Sequence, residues 1–193
     1  MDVILTIIPY KSIPQDDNNP KVDFFSIFRD KSKQMDTDNL ILHSYRRCPF
    51  AMRVRMTLHE KNIPFETVEE NLRDFSDTLK KNHPEAKVPV LFHGDRVLYE
   101  SAIITQYVEE TFAEPKLMPE DPMLRAQARL LTYWCNNHFK HHVDHYKYGE
   151  HRSDPEDVAL APERLKADLS KLEGLLTANT FLLGSTLSLA DIH

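Results

Sequence analysis

The strongest constraint on the fold is a change of pattern near residue 115 of this 193-residue chain. Before that point, short apolar runs alternate with helical patterns. After Pro115 and Pro119 the strand signals vanish and only helical periodicity remains. The sequence therefore predicts an α/β domain over residues 39–113, followed by an all-α domain over residues 120–193.

The order of elements predicted for the first domain is β-α-β-α-β-β-α. Strands are expected at residues 40–45, 65–69, 87–92 and 96–99, and helices at residues 49–62, 75–82 and 101–112. Pro49 suits the first position of its helix, and Ser101 suits the cap of the last. His93-Gly94-Asp95 indicates a hairpin between the last two strands. In the second domain, helices are expected at residues 123–146 and 162–178.

The two ends of the chain differ from this pattern. Residues 1–38 contain three prolines and a polar run, with no sustained period, and we interpret them as a partly disordered extension. Ser188-Leu189-Ala190-Asp191 resembles a capping box that opens a helix for which no sequence follows. We therefore expect the C-terminal domain to be truncated.

Charge and composition exclude several kinds of partner. The net charge is −6, and basic residues do not cluster with aromatic ones, so nucleic acid is not expected as a ligand. A membrane is not expected either, because no apolar run approaches the roughly 20 residues of a spanning helix. The two cysteines are too few for a disulfide framework, which indicates a reducing compartment and a cytoplasmic location.

Cys48 lies where a predicted strand turns into a predicted helix. Unpaired N–H groups and the positive end of the helix would face its sulfur, which favours a thiolate. Four arginines flank it and add positive charge: Arg46, Arg47, Arg53 and Arg55. Because residue 51 is alanine, a second cysteine is missing and the chemistry is expected to be monothiol. The alternative is that Cys48 is a small buried apolar residue.

Two further segments could bind a ligand. Val88-Pro89 interrupts an apolar strand, which predicts a cis peptide and leaves the Val88 backbone groups free for a ligand, unless Pro89 merely lies in an edge strand. Glu100-Ser101 precedes a helix whose free N–H groups could bind a carboxylate, with Glu100 placed to meet an ammonium group. The alternative for Ser101 is a simple helix cap.

Together these segments resemble glutathione transferases, most closely the omega-like, cysteine-type members and their glutaredoxin-like relatives. The resemblance covers residues 40–193. It rests on residues 47–51, 87–91, 99–103 and 187–191. It implies a thioredoxin-like α/β N-terminal domain plus an all-α C-terminal domain, which is the glutathione transferase fold. Glutathione as cosubstrate and a homodimer are further implications.

The resemblance also implies roles for individual residues. Val88 would pair with the cysteinyl backbone of glutathione beside a cis Pro89, while Glu100 and Ser101 would hold its γ-glutamyl end. Phe50 and Lys87 complete the candidate glutathione-binding set. The site for the glycyl carboxylate stays open: Phe75 stands where omega-like members often have a basic residue, and Lys87 or Arg73 could serve instead.

The resemblance further implies that Cys48 forms a mixed disulfide with glutathione. That chemistry favours thiol transfer, deglutathionylation or dehydroascorbate reduction, on a small electrophilic or disulfide substrate, with no metal or prosthetic group. The chain also resembles two other protein groups, more faintly. One is the non-catalytic stringent starvation protein A group, whose members tend to lack the cysteine. The other is the intracellular chloride channel group, which shares a Cys-Pro-Phe start.

Histidines recur in the first predicted helix of the second domain. They are His138, His141, His142 and His145. Their spacing puts two pairs on helix faces, which allows a metal site, a polar wall for the second substrate, or a solvated and partly packed helix. The last of these is the interpretation we favour.

Overall fold

A computed structural model describes residues 39–193, and the expected N-terminal extension, residues 1–38, lies outside the described residues. The strands are β1 (Leu40–Ser44), β2 (Glu66–Glu69), β3 (Val90–His93) and β4 (Arg96–Tyr99). The helices are α1 (Pro49–Glu60), α2 (Asp77–Asn82), α3 (Ser101–Thr111), α4 (Pro122–Trp134), α5 (Lys140–Tyr148), α6 (Pro155–Leu176) and α7 (Leu189–Ile192). Within the described range, no helix is both long and apolar enough to cross a membrane.

The four strands form one sheet in the order β2-β1-β3-β4. Strand β1 is parallel to β2 and antiparallel to β3, and β3 and β4 form the predicted hairpin. Apolar side chains of β1 and β3 pack against Val54 and Leu58 of α1 and Ile104 and Val108 of α3, all fully buried. Each such side chain contributes about 1.5–3 kcal/mol through burial. The thioredoxin-like order predicted from sequence is confirmed.

A second apolar cluster holds the helical part together. It joins the segment after α3 to α4 and α7 through Leu117, Met118, Ala128, Leu189 and Ile192. The capping box at the start of α7 is confirmed, because the Ser188 hydroxyl donates to a carboxylate oxygen of Asp191 at 2.7 Å and the Ser188 N–H donates to the same oxygen at 2.9 Å.

Two helix predictions in this part need correction. The helix expected from Pro162 begins seven residues earlier, at Pro155, with Asp154 as N-cap and Pro162 inside it. Both prolines suit a first helical position, and the Asp-Pro pair is the true start. The helix expected over residues 123–146 is interrupted by a π-turn, Cys135–Phe139, between α4 and α5.

Two predictions beside the candidate site also change. Strand β3 starts only at Val90, because Ala86 has a positive φ of 47° and the segment up to Pro89 forms a loop. Ser101 is not the cap of α3: the N-cap is Glu100, and Ser101 is the first helical residue, with its side chain buried.

Candidate active site

Cys48 occupies the N-cap of α1, with Pro49 as the first helical residue. Its N–H donates to the Tyr45 carbonyl at 2.9 Å, and its carbonyl accepts from the Met52 N–H at 2.9 Å. The side chain makes no capping bond and is partly exposed. Its Sγ lies 3.8 Å from the Val88 carbonyl oxygen. The thiol therefore faces the loop that contains Pro89.

The sheet register explains why the separate motifs meet at one end of the sheet. His43 pairs with Val90, and Val90 pairs with Tyr99. One residue further in each strand places the end of β1, Pro89 and Glu100 side by side. The chain leaves β1 towards Cys48 at this same end. Cys48, Pro89 and Glu100 thus share one edge of the domain, although they lie far apart in sequence.

The four flanking arginines do not act alike on Cys48. Arg55 holds the β1–α1 loop, donating from Nη1 to the Ser44 hydroxyl at 2.5 Å and from Nη2 to the Arg46 carbonyl at 2.9 Å. Exposed Arg47 donates to the Tyr45 hydroxyl at 2.8 Å. Arg53 is the one that extends into the protein interior. Side chains of one segment thus point in different directions, and the four arginines do not share one position relative to the thiol.

The peptide bond between Val88 and Pro89 is cis, as predicted. Pro89 is buried, and Lys87 is exposed and forms an ion pair with Glu85. Beneath this loop, buried His83 accepts the Glu85 N–H through Nδ1 at 3.0 Å. Burial lowers the pKa of His83 below its ordinary 6.5, with Glu85 opposing that shift and Lys87 adding to it.

Neutral His83 is required for this hydrogen bond, so the loop is expected to be sensitive to acid. A lowered folded pKa means that the unfolded chain binds more protons, and stability present above about pH 6.5 is lost as the pH falls below it. The loss is limited to about 1.4 kcal/mol per pH unit. In His83→Gln, whose amide oxygen can accept the same N–H, the melting temperature should fall less between pH 7 and 5.5 than in the parent. An equal fall in both would contradict this.

Glu100 and Ser101 mark the start of α3 beside the loop. Glu100 has a φ of 69°, an uncommon conformation for a residue with a side chain, and its carboxylate is exposed and makes no capping bond. Burial raises the pKa of the neighbouring Tyr99, and the charge of Glu100 raises it further. The α3 helix has no acidic residue in its first turn. The first N–H groups of α3 have no partner within the helix, and they face the same edge of the domain as the exposed Glu100 carboxylate.

Phe50 connects α1 to the helical part of the protein. Its ring lies 4.9 Å from the Arg53 guanidinium and 5.6 Å from Lys140 Nζ of α5. Arg53 is only 5% exposed; its Nη1 donates to the Asn136 side-chain oxygen and its Nη2 to Cys135 Sγ at 3.5 Å. The sequence predicts Arg53 only as a positive charge beside the thiol, and it does not predict Cys135 as part of the site. The available signal was periodicity, since residue 53 falls on the buried face of α1 with residues 54 and 57.

One histidine of the cluster, His142, packs α5 against α6. His142 Nδ1 lies 2.6 Å from Asp168 Oδ2 of α6, and Lys171 donates to Asp168 Oδ1 at 2.9 Å. His138 is exposed, and His141 and His145 have their ring centroids 6.5 Å apart. Among residues 39–193, no group of three or more His, Cys, Asp or Glu side chains could hold a metal ion. The contact to Asp168 supports the packed-helix interpretation.

Replacing Asp168 by asparagine is expected to destabilise the helical part by about 1–3 kcal/mol at pH 7, because one of the two buried accepting oxygens becomes an NH2 donor and the negative charge beside His142 and Lys171 is lost. Burial alone would raise the pKa of Asp168, but the bonds from His142 and Lys171 lower it below its ordinary 3.8. This contribution is therefore present above about pH 4 and lost as the pH falls through the lowered pKa. Urea unfolding at pH 7 measures it, with the more exposed Asp144→Asn as a control that should change little. A similar loss in both variants would contradict the prediction.

A four-stranded sheet domain with a thiol at its first helix, a cis-proline loop facing that thiol and a helical part behind it define a thioredoxin-like, two-part thiol protein. Comparison with known proteins agrees. Residues 42–116 match the family model described as glutathione S-transferase, N-terminal domain. The probable glutathione S-transferase MSR-1 of Nicotiana plumbaginifolia is 32% identical over 82% of this chain and 71% of its own length. The chain belongs to the glutathione S-transferase family, and its prediction as a glutathione transferase enzyme is confirmed.

Solved structures support the fold. A Tau class glutathione S-transferase from mango, Mangifera indica, superposes with a TM-score of 0.72 at 28% identity, over 81% of this chain and 72% of its own. Glutathione transferase Omega 3C from Trametes versicolor gives 0.71 at 25% identity, over 86% and 69%. The chain spans about half to seven tenths of the length of the curated relatives that it matches. The two solved structures are similar to this chain to nearly the same degree, and curated relatives such as GSTU6 and U9 outnumber the omega protein of Sus scrofa among the matches, so the omega-like subtype is not confirmed.

Proposed function

We propose that the protein is a glutathione-dependent thiol transferase in which Cys48 forms a mixed disulfide with glutathione. The observation that supports this is a partly exposed Cys48 at the N-cap of α1, 3.8 Å from the Val88 carbonyl. A thiolate there would be stabilised by the first N–H groups of the helix. The finer assignment to omega-like, cysteine-type members rests on this residue.

Glutathione would lie along the shared edge of the sheet. The backbone of Val88, beside the cis peptide, would pair with the cysteinyl residue. The exposed Glu100 carboxylate would meet the γ-glutamyl ammonium, and the N-terminus of α3 at Ser101 would meet the γ-glutamyl carboxylate. Exposed Lys87 could exchange its pairing with Glu85 for the glycyl carboxylate. Phe50 would support the site from behind, through its contacts with Arg53 and Lys140.

The proposed reaction is two thiol–disulfide exchanges. The Cys48 thiolate attacks the glutathionyl sulfur of a mixed disulfide, the Cys48–glutathione bond forms, and the substrate thiolate leaves and takes up a proton. A glutathione thiolate then attacks the glutathionyl sulfur on Cys48, which releases glutathione disulfide and restores the Cys48 thiolate. Two glutathionyl units leave as one disulfide, and one substrate thiol is produced. Both cysteines are free, which fits the reducing cytoplasm that such chemistry requires.

The intact mass after incubation with glutathione disulfide at pH 7 tests the proposal directly. A single glutathionyl adduct on Cys48, located by peptide mapping and removed by excess glutathione, is the expected result. A folded protein that binds glutathione but forms no adduct would contradict the mixed-disulfide mechanism. A protein that neither reacts with nor binds glutathione would instead indicate a non-catalytic binding role, of the kind seen in the stringent starvation protein A group.

Conjugation of glutathione to an electrophile is the second candidate function. It is favoured by the names of relatives such as the Tau class enzyme from mango and glutathione S-transferase U9 of Arabidopsis thaliana. In that reaction Cys48 would orient the glutathione sulfur without bonding to it. Rates with a small disulfide and with an aryl halide, both measured with glutathione, separate the two. A higher kcat/KM with the disulfide is expected if thiol transfer is the main activity.

A further inference from the structure

The loop between β1 and α1 carries uncompensated positive charge next to Cys48. Residues 43–59 contain four arginines and no aspartate or glutamate, in a protein whose net charge is −6. Arg46 and Arg47, which directly precede the thiol, are both exposed. Among residues 39–193, no carboxylate forms an ion pair with either guanidinium. Two adjacent like charges repel each other, and a bound anion relieves that repulsion.

The backbone of this loop is fixed by hydrogen bonds. The Cys48 N–H donates to the Tyr45 carbonyl at 2.9 Å, which closes a tight turn with the two arginines at its central positions. The Arg46 N–H donates to Glu69 Oε1 at 2.7 Å, and the Arg46 carbonyl accepts from Arg55 Nη2 at 2.9 Å. The two exposed arginines therefore belong to an ordered turn that ends at the proposed nucleophile.

The Arg47 guanidinium is also held in place. Its Nε and Nη2 donate to the Tyr45 hydroxyl at 2.8 and 2.5 Å, and its central carbon lies 5.5 Å from the centroid of the Tyr45 ring. Because a guanidinium has five N–H donors, the donors of Nη1 remain available for a carboxylate. The Cα atoms of Arg47 and Cys48, as chain neighbours, are about 3.8 Å apart. This charge therefore lies within about one Debye length of the reacting sulfur, about 10 Å at 0.1 M salt.

The sheet order separates this turn from the groups proposed to hold glutathione. In the order β2-β1-β3-β4, the hydrogen bond from Arg46 to Glu69 places the turn on the β2 side of β1. Val88 precedes β3 and Glu100 follows β4, so both lie on the other side of β1. The two arginines are therefore available for the other half of a disulfide substrate.

We propose that the arginine pair, Arg46 and Arg47, binds the carboxylate of the second substrate and so selects acidic disulfides and acidic electrophiles. This inference rests on the proposed function, since it names the substrate class of the same thiol. When the leaving half of a disulfide carries a carboxylate, departure of its sulfur gives a dianion. Two guanidinium groups beside the reacting thiol stabilise that dianion and also attract the substrate during encounter.

Other charged groups near the turn have different roles. Arg55 donates to the Ser44 hydroxyl and to two carbonyls of the turn, so its guanidinium is directed towards the loop itself. The Glu69 carboxylate adds one negative charge beside the turn, but it accepts a backbone N–H and not a guanidinium. Lys140 is paired with Asp144. The positive charge of the two exposed arginines therefore exceeds the negative charge beside them.

The first test compares alkylation of Cys48 by iodoacetate, an anion, with alkylation by iodoacetamide, its neutral analogue, at pH 7 and low salt. Both reagents consume the same thiolate, so the ratio of their rates, read from the Cys48 peptide, is independent of the thiol pKa. In the double variant Arg46→Gln, Arg47→Gln the iodoacetate to iodoacetamide ratio should fall about threefold to tenfold. Lysine at both positions keeps the charge and should keep the ratio within about twofold of the parent.

Arg96→Gln is the matched control, because it removes an exposed arginine at the end of the β3–β4 hairpin far from Val90 and Tyr99. Its alkylation ratio should equal that of the parent. Raising the salt to about 1 M should also lower the parent ratio, because the Debye length then shrinks to about 3 Å.

The second test asks which half of the substrate meets the arginines. The substrates are mixed disulfides of glutathione with mercaptopropionate, mercaptoethanol and cysteamine, which differ in the charge of the leaving half only. Each kcat/KM of the double variant is divided by that of the parent, so that the different leaving tendencies of the three thiols cancel. Relative to mercaptoethanol, the mercaptopropionate value should fall about threefold to tenfold, and the cysteamine value should rise.

An unchanged alkylation ratio in the folded double variant would overturn the inference. An equal loss of kcat/KM with all three mixed disulfides would also overturn it, because the arginines would then serve glutathione. If the double variant does not fold, Arg47→Gln alone decides, with an expected fall in the alkylation ratio of about twofold to threefold. Alkylation needs no glutathione. If none of the mixed disulfides is turned over, the proposed thiol transfer fails, and the alkylation ratio by itself decides whether the arginine pair attracts anions to Cys48.

Discussion

Replacement of Cys48 by serine is expected to reduce thiol transfer at least about a thousandfold, to the level of the reaction without enzyme. A serine hydroxyl does not form a disulfide, so the glutathionyl adduct and the first exchange step are both lost. The fold should be unaffected, because the Cys48 side chain makes no capping bond and its one polar contact with residues 39–193 is the long one to the Val88 carbonyl. The measurement is the steady-state rate with a small disulfide and glutathione, beside the melting temperature.

Cys135→Ser is the matched control for this experiment, since it removes the other free cysteine of the chain. Its thiol transfer rate should stay within a few fold of the parent. The rate of aryl halide conjugation by Cys48→Ser is a second comparison. A serine hydroxyl at the same N-cap can still donate a hydrogen bond to the glutathione sulfur, so it can support conjugation but not thiol transfer. Persistent thiol transfer in Cys48→Ser, or its loss in Cys135→Ser, would remove Cys48 from the role of nucleophile.

Much of the site could be predicted because its signals are local. Cys48-Pro49 identifies a helix start, Val88-Pro89 the cis peptide and Glu100-Ser101 the start of the next helix. The hairpin between β3 and β4 then brings the last two together. Each of these predictions depends on residues within a few positions of one another, where steric and hydrogen-bonding preferences act directly.

The partners of buried, long charged side chains could not be predicted from local sequence. Arg53 is buried because it meets Asn136, 83 positions along the chain, and Lys61 because it meets Glu109, 48 positions along. Periodicity could place residue 53 on the buried face of α1, but nothing near either residue in sequence identifies its distant partner. The start of α6 was mispredicted for a different reason. Pro155 and Pro162 both suit the first position of a helix, so local preference could not tell which of them begins it. Packing, rather than helix propensity, places Pro162 inside the helix.

Loss of the ion pair between Lys61 and Glu109 is expected to have the largest effect on stability. Lys61 Nζ lies 2.6 Å from Glu109 Oε2 and donates to the Pro115 carbonyl at 2.6 Å, and its side chain is fully buried. The Glu109 carboxylate also accepts the N–H groups of Leu117 and Met118, at distances of 3.0–3.1 Å. The pair therefore ties α1 and α3 of the sheet domain to the segment that leads into the helical part.

Either Glu109→Gln or Lys61→Met should lower the free energy of unfolding by about 3–5 kcal/mol, because each leaves one charge buried without its partner. The double variant should cost less than the sum of the two single ones, by about 0.5–3 kcal/mol, since it leaves no unpaired charge. Urea unfolding at pH 7 followed by circular dichroism measures all three. Glu120→Gln, which breaks the exposed pair with Lys116 in the same segment, should change little. If costs in the double variant simply added, each side chain would be acting alone, and the link between the two parts of the protein would lie in the apolar contacts around Leu117 instead.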